Sequence, residues 1–91
     1  MKPKNHIHII IKRLNTFISG TDRSLTIAGK IEVALDEAFP DDEEIQNYVT
    51  CFASYRPEGG EYLYDEIRMA EESKKLLRIL QGKHKSLDID E

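Results

Sequence analysis

Cysteine is nearly absent from this 91-residue chain, because Cys51 is its single example. One thiol cannot form a disulfide within the chain, and zinc sites built from two or four cysteines are excluded within it for the same reason. Such cysteine usage is typical of a reducing compartment, so we expect a cytoplasmic protein.

Long apolar segments are also missing. The run at residues 7–11 reads IHIII and ends at Lys12-Arg13, with no small-residue cleavage site after it. A helix that spans a bilayer needs about 20 apolar residues, and a signal peptide needs a cleavage site. We therefore expect neither a signal peptide nor an association with a membrane.

Motifs for cofactors and catalysis are missing too. The glycines match neither a dinucleotide fingerprint nor a phosphate-binding loop, and the histidines lie far in sequence from Cys51. His6 and His8 would point about 200° apart on a helix, so they could share a metal ion only in an extended segment. We expect no enzyme, no cofactor and no metal. Binding of a metal, by these histidines or by the acids at 88–91, or of a small ligand stays an alternative.

The composition is that of an ordinary folded domain. Apolar residues make up 40% of the chain and charged residues 33%, and the formal net charge is −4. These values lie outside the range of low hydrophobicity and high net charge that characterises disordered chains. A chain of this length forms one small domain with little area for a deep pocket.

The apolar residues recur at helical spacing in four segments. This period predicts helices at 4–19, 22–39, 41–55 and 61–81, with Gly82 as the last C-cap. We expect an all-α domain over residues 1–82, packed as a four-helix bundle or an orthogonal four-helix array. Residues 83–91 are predicted to be a flexible, charged C-terminal tail.

Several local features carry narrower expectations. Histidine and isoleucine alternate at the start of residues 6–11, and isoleucine favours strands, so a strand is the alternative to a helix for this segment. Gly29 lies inside the second helix at a cost of about 1 kcal/mol, which predicts either a backbone packed against it, the more common explanation, or a part of the helix that is tolerated as weak. Asp41 is the expected N-cap of the third helix. The main apolar stripe of the fourth helix is expected to contain Leu63, Ile67, Ala70, Leu77 and Leu80.

One stretch of the chain is strongly acidic. Between residues 32 and 44 there are seven acids and no basic residue: Glu32, Asp36, Glu37, Asp41, Asp42, Glu43 and Glu44. Solvated carboxylates at a helix start are poor candidates for catalysis, but they form a surface that attracts basic proteins and repels phosphate. We call these seven residues the acidic surface.

A second candidate surface is the turn at residues 55–64, called here the tyrosine turn. It contains Tyr55, Arg56, Tyr62 and Tyr64, and tyrosine and arginine are residue types that often anchor protein interfaces. The alternative is that these tyrosines cover the end of the helical core, with their hydroxyl groups in water.

Together these features predict a non-enzymatic protein-interaction or regulatory module. The acidic surface or the tyrosine turn would bind the partner. A homodimer is also expected, because four apolar residues fall outside the main stripes: Ile9, Val33, Leu76 and Ile79. A nucleic-acid-associated regulator is the alternative, carried by basic residues near both ends of the chain that include Lys12, Arg13, Lys74, Lys75 and Arg78.

Overall fold

The four segments in which apolar residues recur at helical spacing all form helices. The computed structural model describes the backbone of residues 3–61 and 63–89, and the side chains of residues 7–61 and 63–83. Within these ranges the helices are α1 Pro3–Ser19, α2 Leu25–Ala38, α3 Glu43–Ala53 and α4 Glu66–Ile89. The all-α prediction is confirmed, and the alternative strand at residues 6–11 is wrong because that segment is part of α1.

Each helix packs against two others. α1 contacts α2 and α4, and α3 contacts α2 and α4, so the four helices close into a ring around one apolar core. The largest fully buried apolar side chains are Ile7, Ile10, Leu14, Phe17, Ile31, Leu35, Ile45, Tyr55, Met69, Leu76 and Leu80. Burial of this apolar area is the main force that holds the helices together.

The connection from α1 to α2 is fixed by a glycine, an arginine and a serine. Gly20 has a φ of 85°, a left-handed conformation that ends α1. The Arg23 Nε donates to the carbonyl oxygen of Phe17 at 2.8 Å, where its charge complements the helix dipole. Ser24 is the N-cap of α2, since its side chain accepts from the Ile27 amide. α2 therefore begins three residues later than predicted.

The start of α3 is capped by Asp42, so the prediction of Asp41 is wrong. Asp42 Oδ1 accepts from the amide of Ile45 at 3.1 Å, and Asp42 Oδ2 lies 2.9 Å from Lys83 Nζ of α4. Lys83 and the Ile45 amide hold the pKa of Asp42 below its usual value. Asp41 is exposed and one residue too early to reach this amide.

α4 differs from its prediction at both ends. It begins at Glu66 rather than at residue 61, with Asp65 Oδ1 accepting from the Arg68 amide at 2.8 Å. It then continues past Gly82 to Ile89, so Gly82 is not a C-cap. Residues 83–89 of the predicted tail are helical, and the flexibility expected of the tail stays a prediction.

The buried face of α4 is rotated from the predicted stripe. Met69, Ser73, Leu76 and Leu80 are fully buried, whereas the side chain of Ile67 is 74% exposed. The buried residues follow the spacing of a single helical face. Leu76 thus belongs to the core, and Ile79 packs against it, so two of the four residues expected to lie outside the core do not.

Gly29 packs against no other part of the described chain. A Cβ built at this position meets nothing within 4 Å, so the predicted close backbone is wrong and a weak part of the helix remains as the interpretation. The glycine leaves open space on α2, at a cost in helix stability that no contact of the described chain explains.

Candidate functional site

The acidic surface lies on two adjacent helices and the loop between them. Asp36, Glu37, Asp41, Glu43 and Glu44 are exposed, while Glu32 and Asp42 are half-buried. Gln46 of α3 ties the two helices together, because its Nε2 donates to Asp36 Oδ1 at 3.0 Å and to the Phe39 carbonyl at 3.1 Å. Within the described side chains, Asp42 is the one member of the seven that forms an ion pair.

An exposed apolar residue lies within the acidic surface. The side chain of Val33 is 55% exposed, and the residues one helical turn away on the same side of α2 are Gly29 and the exposed Lys30 before it and Asp36 and Glu37 after it. Asp36 and Glu37 are both exposed. The outer face of α2 therefore has an apolar centre, an open position at Gly29 and carboxylates toward its C-terminal end.

The tyrosine turn separates its two described tyrosines. Tyr55 is fully buried, its hydroxyl donates to the carbonyl oxygen of Arg23 at 2.6 Å, and its ring meets Phe17 edge to face at 5.1 Å between centroids. Burial raises the pKa of Tyr55, followed by the effect of nearby Glu66. Tyr55 anchors the core and offers no side-chain surface to a partner. Tyr62 lies outside the described residues.

Arg56 and Tyr64 hold the turn closed. The Arg56 amide donates to the carbonyl oxygen of Tyr64 at 2.8 Å, and the Tyr64 amide donates to that of Ser54 at 3.1 Å. The Arg56 guanidinium is exposed and also donates to the Tyr55 carbonyl at 2.6 Å. This backbone pairing explains why α4 starts after residue 64, because the chain must first return to the end of α3.

The return of the chain places Tyr64 beside a groove between α3 and α4. The groove has a volume of about 530 Å³, and its lining includes Glu44, Asn47, Tyr48, Cys51, Tyr64 and Glu72. Helical spacing alone predicts Tyr48 on the apolar face of α3, Cys51 at the edge of that face and Glu72 on the outer side of α4. No sequence signal unites them, since the groove depends on how α3 and α4 pack.

The charges around this groove are unfavourable for a further negative charge. Burial, followed by Glu72, raises the pKa of Tyr48. The thiol of Cys51 beside its hydroxyl raises the pKa of Tyr64, with smaller contributions from burial and Glu72. Two carboxylates, Glu44 and Glu72, line the groove, and Lys75 Nζ lies 3.1 Å from Glu72 Oε2.

Three lysines of α4, Lys74, Lys75 and Lys83, form ion pairs, whereas Arg78 is exposed. Lys74 Nζ lies 3.1 Å from Glu71 Oε2, and Lys75 Nζ lies 3.1 Å from Glu72 Oε2. Lys83 is paired with Asp42, as described above. These pairs reduce the positive charge that α4 could offer to nucleic acid, for which counterion release from phosphates requires unneutralised lysines and arginines.

The described residues offer little for a metal ion. No group of three His, Cys, Asp or Glu residues among them is placed to hold one. Residues 6 and 8 are helical, so the extended arrangement that would let His6 and His8 share an ion is not formed. The side chain of His6 and residues 90 and 91 lie outside the described part.

Comparison of the chain with family models, curated proteins and solved structures gives no match. Over the described residues, no helix has the length and apolar content needed to cross a membrane. The site must therefore be interpreted from its own residues.

Proposed function

We propose that the protein is a non-enzymatic interaction module that binds a basic partner protein through its acidic surface. The observation that carries the proposal is the placement of five exposed carboxylates on α2, α3 and their connecting loop. Exposed charges of one sign raise the rate of association with an oppositely charged protein and select against acidic ones.

The outer face of α2 offers an apolar contact surface to a partner as well as charges that attract it. Protein interfaces combine a desolvated apolar centre with a polar rim. Val33 would provide that centre, with Asp36 and Glu37 at the rim and Gly29 allowing close approach of a partner. A matching partner presents a small apolar patch bordered by lysine or arginine.

The tyrosine turn is the weaker candidate of the two surfaces. Tyr55 is buried, and Arg56 is engaged with backbone carbonyls of α3 and the turn. These roles account for both residues without a partner.

Self-association and a cytoplasmic location are further proposals. Two copies meeting through their acidic surfaces would repel each other, so a homodimer would use another face, such as the one around Ile9, which is 42% exposed. A cytoplasmic location fits a chain whose single cysteine has no disulfide partner.

The proposal is tested by affinity purification of the tagged protein from its native cells at low salt, followed by mass spectrometry and light scattering. We expect a stoichiometric basic protein that dissociates as salt is raised, because screening weakens contacts between charged surfaces. Recovery of the protein alone, or of partners insensitive to salt, would contradict the proposal.

A further inference from the structure

We propose that the groove between α3 and α4 is a binding site for an alkylammonium cation, such as a lysine side chain or a polyamine. Glu44 and Glu72 supply negative charge at the groove, and Tyr48 and Tyr64 supply aromatic surface. Aromatic rings combined with carboxylates are the groups that proteins use to bind organic cations. This site overlaps the proposed partner surface at one residue, Glu44.

The groove suits an organic cation better than a metal ion or an anion. Two carboxylates repel anions, and a metal ion needs three or more closely placed donors, which the described residues do not provide. The volume of about 530 Å³ is within the range of small-molecule sites and far larger than a bare ion requires.

The surroundings show that these groups already interact with cations. The Arg68 guanidinium carbon lies 5.1 Å from the centroid of the Tyr64 ring, and Lys75 Nζ lies 3.1 Å from Glu72 Oε2. Neither cation lines the groove. The Lys75 side chain is 60% exposed, and an exposed pair of this kind contributes little stability. An entering ammonium group therefore exchanges for Lys75 at little cost.

The partial burial of Glu72 strengthens its attraction for a cation in the groove. The side chain of Glu72 is 26% exposed, so its charge is less screened than that of a fully solvated carboxylate. The alkyl part of the ligand would lie against the two aromatic rings.

The test is a titration of the ¹⁵N-labelled protein, followed by NMR, with spermidine in one arm and a blocked Gly-Lys-Gly peptide in the other. We expect saturable shifts of amides in α3 near residue 48 and in α4 near residue 72. Saturation by spermidine alone identifies a polyamine as the ligand, and saturation by the peptide identifies a lysine side chain. If neither probe shifts these amides, the proposal is overturned.

Two variants provide a matched comparison. Glu72→Gln should weaken binding by about fivefold, whereas Glu71→Gln should leave it unchanged. The two residues are neighbours, each forms an ion pair at 3.1 Å with the lysine three positions later, and Glu72 alone of the two lines the groove. Equal loss in both variants would show that net charge, rather than the groove, attracts the cation.

A second pair of variants tests the aromatic contribution. Tyr48→Phe keeps the ring and should retain affinity, while Tyr48→Leu should reduce it by about two- to fivefold. Equal affinity in these two variants would refute a role for the ring. Because Glu72 and Tyr48 lie outside the acidic surface, failure of this test leaves the proposed partner binding intact.

Discussion

Replacing Gly29 with alanine is expected to stabilise the protein. The position is inside α2 with ordinary helical neighbours, and an added Cβ would meet no atom within 4 Å. Alanine therefore gains its full advantage in helix propensity over glycine, about 1 kcal/mol, without a steric penalty. For a domain of about this size, such a gain corresponds to a rise in Tm of roughly 4–8 °C.

The assay is thermal unfolding followed by circular dichroism at 222 nm, with urea titration as a second measure of the free energy of unfolding. Protein concentration must be matched, because any self-association shifts Tm by mass action. Gly20→Ala is the control of opposite sign. Gly20 has a φ of +85°, a conformation that costs an alanine about 1–2 kcal/mol, so this variant should be less stable.

The refuting result is a Gly29→Ala protein whose Tm is unchanged or lower. That outcome would mean that Gly29 meets a neighbour absent from the structure, either within the chain or in a second copy. A rise in Tm accompanied by weaker capture of the partner would agree with both the open position at Gly29 and its place in the proposed interface.

Three further predictions concern stability. Asp42→Ala should lower the free energy of unfolding by about 1 kcal/mol in urea titrations through loss of the N-cap, whereas Asp41→Ala should change it by less than about 0.5 kcal/mol. The pKa of Asp42 is lowered in the folded state, so its charge stabilises the fold above the unfolded pKa, and this contribution is lost as pH falls through the lowered value. The stability difference between wild type and Asp42→Asn should therefore shrink on acidification, and a difference that grew would contradict this. Ser73→Ala should raise the free energy of unfolding by about 1 kcal/mol, since the buried Ser73 hydroxyl finds no hydrogen-bond partner among the described residues, and a loss of stability would reveal one.

The helices were predictable because each carries a periodic apolar face. In α1 the residues Ile7, Ile10, Leu14 and Phe17 recur at helical spacing and all are buried. The predicted bounds of 4–19 differ by one residue from Pro3–Ser19. The helical spacing of apolar residues can be recognised without knowing which elements pack against the helix, because every helix buries its apolar side.

The beginning of α4 was not predictable from local pattern. The apolar residues after Gly60 extend the helical period backward, but the pairing of Tyr64 with the end of α3 keeps this segment in an extended turn. The predicted stripe then included Ile67, which is exposed, and left out Met69 and Ser73. Such contacts between distant parts of the chain override local propensity.

The two candidate sites also differ in how far the sequence predicts them. The acidic surface was visible in sequence, because carboxylates remain solvated and their helices are joined by a short loop. The groove between α3 and α4 combines Tyr48, Tyr64 and Glu72, whose proximity follows from the packing of α4 on α3 and from the closed turn. No spacing in the sequence carries that information.

The most direct test of partner binding compares two double charge reversals by capture from the native cells. Asp36→Lys/Glu37→Lys changes the acidic surface, and Glu58→Lys/Glu61→Lys makes the same change in net charge at exposed positions of the tyrosine turn. Both variants should stay folded, as judged by their Tm. We predict that the first loses the captured partner and the second retains it. Loss in the second variant alone, or equal loss in both, would contradict binding through the acidic surface.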